Sequence, residues 1–61
     1  MMSERELAAS YRERAKQMRG LADSEADQRT AFMLRNVAAQ YDKLGDSLAD
    51  LDAKHAKRLK A

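Results

Sequence analysis

Hydrophobic residues recur at intervals of three and four along most of the chain, separated by long charged side chains. In the first part of the chain this series consists of Leu7, Ala8, Tyr11, Ala15, Met18, Leu21 and Ala22. Steps of three and four residues place side chains on one face of an α-helix. Because no useful stretch alternates with a period of two, the pattern predicts an all-α protein.

A second apolar series follows, with the regular three–four spacing of a coiled coil over about two and a half heptads. Its members are Leu34, Val37, Tyr41, Leu44, Leu48 and Leu51. Three small residues, Ala31, Ala38 and Gly45, flank this series. Small side chains at these positions would allow two helix backbones to approach closely.

Two segments have the residue types that begin helices. Ser3 and Glu6 have the spacing of a capping box, in which each side chain bonds to the backbone N–H of the other residue. Asp23 and Ser24 are both suitable N-cap residues, and acidic residues around them would favour the positive end of a new helix. We therefore expect a tight turn near residues 22–25.

These features predict an antiparallel hairpin of two helices, at about 4–22 and 25–58, with all 61 residues in one domain. Residues 1–3 and 60–61 are expected to fray. Gly45 is the one position where the long second helix could break, although glycine costs a helix only about 1 kcal/mol relative to alanine. A three-helix bundle broken at Gly45 is the alternative.

The unequal helix lengths predict self-association. A first helix of about 19 residues would cover the second only to about residue 44, leaving Leu48, Leu51 and Leu59 beyond it. Small proteins without disulfides or bound metals usually need oligomerisation or another source of stability. We expect a homo-oligomer, most simply a two-fold dimer that forms a four-helix bundle through the second apolar series.

Composition and charge narrow the classes of function. The chain has 12 Lys and Arg residues against 10 Asp and Glu residues, and no Cys. Thiol chemistry is therefore excluded, and a net charge of +2 does not favour a nucleic acid or a membrane as partner. Neither an apolar run of about 18 residues nor an apolar signal region is present, so we expect a cytoplasmic protein.

Residues suited to catalysis or metal binding are few. Asp52 and His55 place a carboxylate and the single imidazole three residues apart, a spacing used by metal-binding helical bundles. Asp is shorter than the usual Glu, however, and no second inward acid is evident on the first helix. The chain also lacks a glycine-rich phosphate loop. We predict no enzymatic activity and no cofactor, with Asp52 and His55 as weak metal candidates.

Basic residues gather in the first helix and at the C-terminal end. Those of the first helix are Arg5, Arg12, Arg14, Lys16 and Arg19. Lys54, His55, Lys57, Arg58 and Lys60 make up the second group. We expect both groups to be solvated, because Glu4, Glu6 and Glu13 relieve the charge of the first and the second lacks interleaved aromatic residues. A small nucleic-acid-associated regulatory protein using these two groups is the alternative function.

Part of the chain, roughly residues 7–50, resembles short bacterial helical-hairpin proteins. The resemblance rests on Arg14-Ala15 followed by Arg19-Gly20-Leu21-Ala22, and on Tyr41-Asp42-Lys43-Leu44 in the second helix. Many of those proteins have Asp-Pro-Glu at the turn, where this chain has Asp23-Ser24-Glu25, and alanine where it has Gly45. The resemblance implies a helical hairpin, and it indicates neither an activity nor functional residues.

The pattern of apolar residues therefore favours a non-enzymatic helical protein that self-associates. The same groove could also receive an amphipathic helix of a partner protein. The nucleic-acid-associated protein remains the alternative, and a metal-storing bundle is the weakest of the three hypotheses.

Overall fold

The protein is a hairpin of two antiparallel helices. A computed structural model describes residues 2–60, with side chains as far as Lys57. Helix α1 spans Glu4–Ser24 and helix α2 spans Gln28–Lys60, in a rod of 52 × 17 × 14 Å. This confirms the predicted all-α hairpin. Because α2 continues through Gly45, the three-helix alternative is wrong.

The predicted capping box begins α1. The hydroxyl of Ser3 accepts a hydrogen bond from the Glu6 backbone N–H at 3.1 Å. The Glu6 carboxylate in turn accepts one from the Ser3 N–H at 3.5 Å. Two backbone donors that lack partners within the helix are thereby satisfied, which fixes the first residue of α1.

Asp27 caps helix α2. One oxygen of its carboxylate accepts a hydrogen bond from the Arg29 N–H at 3.1 Å. The other accepts one from the Thr30 hydroxyl at 3.0 Å. The second helix therefore begins three residues later than predicted, because Asp27 supplies the capping carboxylate.

The prediction that Asp23 or Ser24 would cap the second helix is wrong. Both residues belong to the last turn of α1. The hydroxyl of Ser24 donates backwards, lying 3.3 Å from the carbonyl oxygen of Gly20 and 3.2 Å from that of Leu21. A serine near a helix end can satisfy preceding carbonyls as readily as following N–H groups, so its presence did not fix the direction of the cap.

Small residues form the centre of the hairpin. Each buried alanine is at most 5% exposed, and their positions repeat every seven residues in each helix. The buried positions are Ala8, Ala15 and Ala22 in α1, and Ala31, Ala38 and Gly45 in α2. No large side chain among the described residues is fully buried. The hairpin therefore depends on close backbone approach rather than on interlocked large side chains.

Helix α1 covers more of α2 than the sequence suggested. Arg5 pairs with Asp52 and Glu4 pairs with His55, so the cover extends well beyond residue 44. The predicted overhang was too long because α1 ends at Ser24 rather than residue 22, and α2 begins three residues later. Both changes move the start of α1 towards the C-terminal part of α2. The side chain of Leu59, one of the predicted overhanging residues, lies outside the described part of the chain.

Candidate interaction surface

The buried column of small residues separates two flanks of different chemistry. Tyr11 follows Ala8 by three residues and Arg12 follows it by four, so these two side chains lie on opposite sides of the column. The same offsets from Ala38 place Tyr41 on one side and Asp42 on the other. One flank of the hairpin is therefore aromatic and aliphatic, and the other is ionic.

Two stacked tyrosines join the helices on the first flank. The rings of Tyr11 and Tyr41 have centroids 5.8 Å apart and planes inclined by 26°. Both side chains are half-buried. Offset stacking of this kind adds about 0.5–1.5 kcal/mol to the burial of the rings. The stack also makes the apolar series of the two helices adjoin in one continuous surface.

We name this surface the apolar face. It contains the whole second apolar series predicted from the sequence, together with the larger apolar residues of α1. Its residues are Leu7, Tyr11, Met18 and Leu21 of α1, and Leu34, Val37, Tyr41, Leu44, Leu48 and Leu51 of α2. The structure thus places all six predicted interface residues on one side of the hairpin.

The outer column of the apolar face is largely uncovered. Val37 is 37% exposed, Leu44 49% and Leu51 45%. Each of these residues directly precedes a position that is in line with the buried column. One residue corresponds to about 100° of rotation around the helix axis, so these side chains point about 100° away from the neighbouring helix. Leu34, Tyr41 and Leu48 lie closer to α1 and are half-buried. Helix α1 therefore shelters one column of the series and leaves the other open.

Helix α1 contributes a matching outer column, Leu7, Arg14 and Leu21, in which each residue precedes a buried alanine. Leu21 is 56% exposed. Arg14 is exposed and places a charge at the middle of an otherwise apolar column. Its aliphatic stem can lie along apolar surface while the guanidinium remains in water.

The ionic flank carries a series of cross-helix pairs. Three arginines of α1 recur every seven residues, and each reaches an aspartate of α2. The pairs are Arg5–Asp52 at 3.5 Å, Arg12–Asp46 at 3.4 Å, and Arg19–Asp42. We expected these arginines only to be solvated. Their spacing of seven, equal to that of the buried alanines, was the signal that places them beside the other helix.

The two weak metal candidates each bond to a residue of α1. Asp52 pairs with Arg5, and the Nδ1 atom of His55 lies 2.7 Å from a carboxylate oxygen of Glu4. Among the residues the structure describes, no three His, Asp or Glu side chains gather in a way that could hold a metal ion. The pairs close the end of the hairpin opposite the turn.

The basic C-terminal end is described in part. Lys54 and Lys57 are exposed in the last turns of α2, and neither belongs to an ion pair within the described residues. The predicted basic residues Arg58 and Lys60 have side chains outside the described part of the chain.

No protein-family profile, curated protein or solved structure matches this chain. Neither described helix is long and apolar enough to cross a membrane. The part of the chain that the structure describes encloses no pocket.

Proposed function

We propose that this chain is a non-enzymatic, cytoplasmic interaction protein that self-associates through its apolar face. The simplest assembly is a two-fold dimer in which two hairpins form a four-helix bundle. Two-fold dimers are the commonest closed oligomers, and hairpins joined by short loops are the usual halves of such bundles.

The observation that carries this proposal is the contrast between the core and the apolar face. Alanines fill the core, whereas Val37, Leu44 and Leu51 remain on the surface. Complete burial of one such side chain contributes about 1.5–3 kcal/mol, several times the contribution of a single methyl group. A second copy that covers the face would supply the apolar burial that the single hairpin lacks.

The dimensions of the hairpin suit such an assembly. A stable interface buries about 800 Å² on each partner, which is about one-sixth of the 5099 Å² surface of this chain. One long side of a rod measuring 52 × 17 × 14 Å provides that area. Large contiguous apolar surfaces that remain exposed on a single chain are typical of interaction sites.

The ionic flank gives less support to the nucleic-acid alternative. Three of the arginines that would contact phosphates, Arg5, Arg12 and Arg19, already pair with aspartates of the same chain. Binding of a nucleic acid through them would require those pairs to open. We therefore do not extend the proposal to nucleic acid.

Light scattering on a sizing column, over a range of concentrations, tests self-association directly. We expect the unaltered chain to have the mass of a dimer and to dissociate on dilution. Leu44→Asp and Leu51→Asp each place a charge in the open outer column of the apolar face, and each should give a monomer. Burial of an unpaired carboxylate at a packed interface is strongly unfavourable.

Phe32→Asp is the matched control. Phe32 is 65% exposed and lies on the side of α2 away from the apolar face. The same loss of an exposed apolar side chain should therefore leave the dimer intact. A monomer at every concentration for the unaltered chain, or equal loss of the dimer in all three variants, contradicts the proposal. Helicity measured by circular dichroism separates dissociation from unfolding.

A further inference from the structure

The two ends of the hairpin differ in charge. At the turn, three acids occur within five residues, Asp23, Glu25 and Asp27. From residue 53 to the C-terminus the sequence contains Lys and Arg at four positions and no acid. Two of these basic residues, Lys54 and Lys57, are exposed in the described part of α2.

Much of this charge is not neutralised within the hairpin. Asp23 pairs with Arg35 at 3.3 Å. The carboxylates of Glu25 and Asp27 accept hydrogen bonds from neutral N–H and O–H groups, and the ion pairs of the described residues include neither of them. The turn therefore keeps a negative charge, and the opposite end of α2 keeps a positive one.

The apolar face is evenly placed between these two ends. Tyr41 is thirteen residues from Gln28, the first residue of α2, and thirteen residues from Lys54. Each distance is about 20 Å along the helix. Rotation by 180° about an axis through Tyr41, perpendicular to α2, therefore brings the turn of one hairpin to the level of the basic end of another.

We infer that the occupant of the apolar face is a second copy of this chain in the opposite orientation, with its acidic turn beside the basic end of the first. This inference rests on the proposed self-association. With both turns at the same end, Glu25 and Asp27 would face their own copies, and so would Lys54 and Lys57. Charge complementarity selects orientation by penalising such like-charge contacts.

Cross-linking tests the orientation, because the chain has no cysteine of its own. Ala26 in the turn and Ala56 near the other end are both exposed and lie fifteen residues on either side of Tyr41. Ala26→Cys and Ala56→Cys chains, one of them isotopically labelled, are mixed in equal amounts and treated with a short bis-maleimide. Mixed products should exceed either like-with-like product by about fivefold.

The outcomes separate this inference from the proposed function. If the chains are dimeric by light scattering and yet give mainly products that link two Ala26→Cys chains or two Ala56→Cys chains, that result overturns the inferred orientation alone. A monomer at all concentrations overturns the proposed function as well. Repeating the reaction with Leu44→Asp in both chains should abolish the mixed product if it forms within the dimer.

A charge exchange provides a second, independent readout. Glu25→Lys and Lys57→Glu should each weaken the dimer by about threefold at low salt, because each creates like charges across the inferred contact. The double variant should recover the original affinity, and the differences should fade in roughly 0.5 M salt. If the two losses of dimer affinity simply add in the double variant, the inference is overturned. Ala39→Glu, which places a charge in the middle of α2 on the exposed side away from the apolar face, is the control.

Discussion

Gly45 packs directly against the backbone of Ala8. A Cβ atom built on Gly45 would lie 3.2 Å from the Ala8 carbonyl oxygen and 3.3 Å from the Cγ atom of Arg12. Gly45 continues the column of Ala31 and Ala38, and it is the position where only a hydrogen atom separates the two helices. Its conformation is that of an ordinary helix, with no positive φ angle. Close approach, rather than backbone freedom, is therefore the reason for glycine at this position.

The two glycines should respond differently to substitution by alanine. A Cβ atom at Gly20 meets nothing within 4 Å, so Gly20→Ala should raise the free energy of unfolding by about 0.5–1 kcal/mol through helix propensity. Gly45→Ala has the same propensity gain, but its new methyl group presses on a backbone oxygen that moves only with its helix. We expect no net gain there. Urea unfolding at one fixed protein concentration measures both values.

A larger side chain at Gly45 makes the same test sharper. Gly45→Leu should lower the free energy of unfolding by about 1–3 kcal/mol, since the helices must separate to admit it. Gly20→Leu should raise the free energy of unfolding by nearly as much as Gly20→Ala, because leucine forms helices almost as well as alanine and meets open space there. Equal effects at the two positions would show that the helices do not approach as closely as the structure indicates.

The carboxylate of Asp27 is expected to stabilise α2. Asp27→Ala removes the bonds to the Arg29 N–H and the Thr30 hydroxyl, and should lower the free energy of unfolding by about 1 kcal/mol. Asp23→Ala is the control, because Asp23 contributes only an exposed ion pair with Arg35. Thermal unfolding followed by circular dichroism compares them. If Asp23→Ala lowered the free energy of unfolding more than Asp27→Ala did, the result would support Asp23 as the cap, as predicted from the sequence.

Much of the fold could be predicted from local features. Spacing of three and four identified both helices, and the Ser3–Glu6 capping box fixed the start of α1. The turn was placed too early because Asp23, Ser24 and Asp27 all have capping side chains, and the sequence does not show which of them bonds forwards. That error also made the predicted overhang of α2 too long.

The apolar face was predicted as a set of residues but not as a surface with two unequal columns. The column that begins at Leu34 and the column that begins at Val37 are both apolar in sequence. Only the position of α1 decides that the first is sheltered and the second is open. The alanines decide this position, since the smallest side chains allow the closest approach. The ionic flank was missed because Arg12 and Asp46 lie 34 residues apart, and a pairing at that distance depends on the offset between the helices.

The ionic flank should contribute modestly to stability. A double-mutant cycle on Arg19 and Asp42, with each residue changed to alanine, should give a coupling free energy of about 0.2–1 kcal/mol that falls as salt is added. The side chains of this pair are 50% and 38% exposed, compared with 54% and 76% for Arg12 and Asp46. The second cycle should therefore give the smaller coupling. The reverse order would contradict the relative burial of the two pairs.

Arg14 is the position where the apolar face can be strengthened. It occupies the middle of the column that Leu7 and Leu21 complete, so Arg14→Leu makes this column continuous. Burial of one leucine at an interface contributes about 1.5–3 kcal/mol, which corresponds to an increase in dimer affinity of at least tenfold. Lys16→Leu also replaces an exposed cation by leucine, but two positions further along α1 and off the apolar face. Sedimentation equilibrium of both variants should show tighter association for Arg14→Leu only. Tighter association of Lys16→Leu to the same degree would show that added surface hydrophobicity, rather than the apolar face, controls assembly.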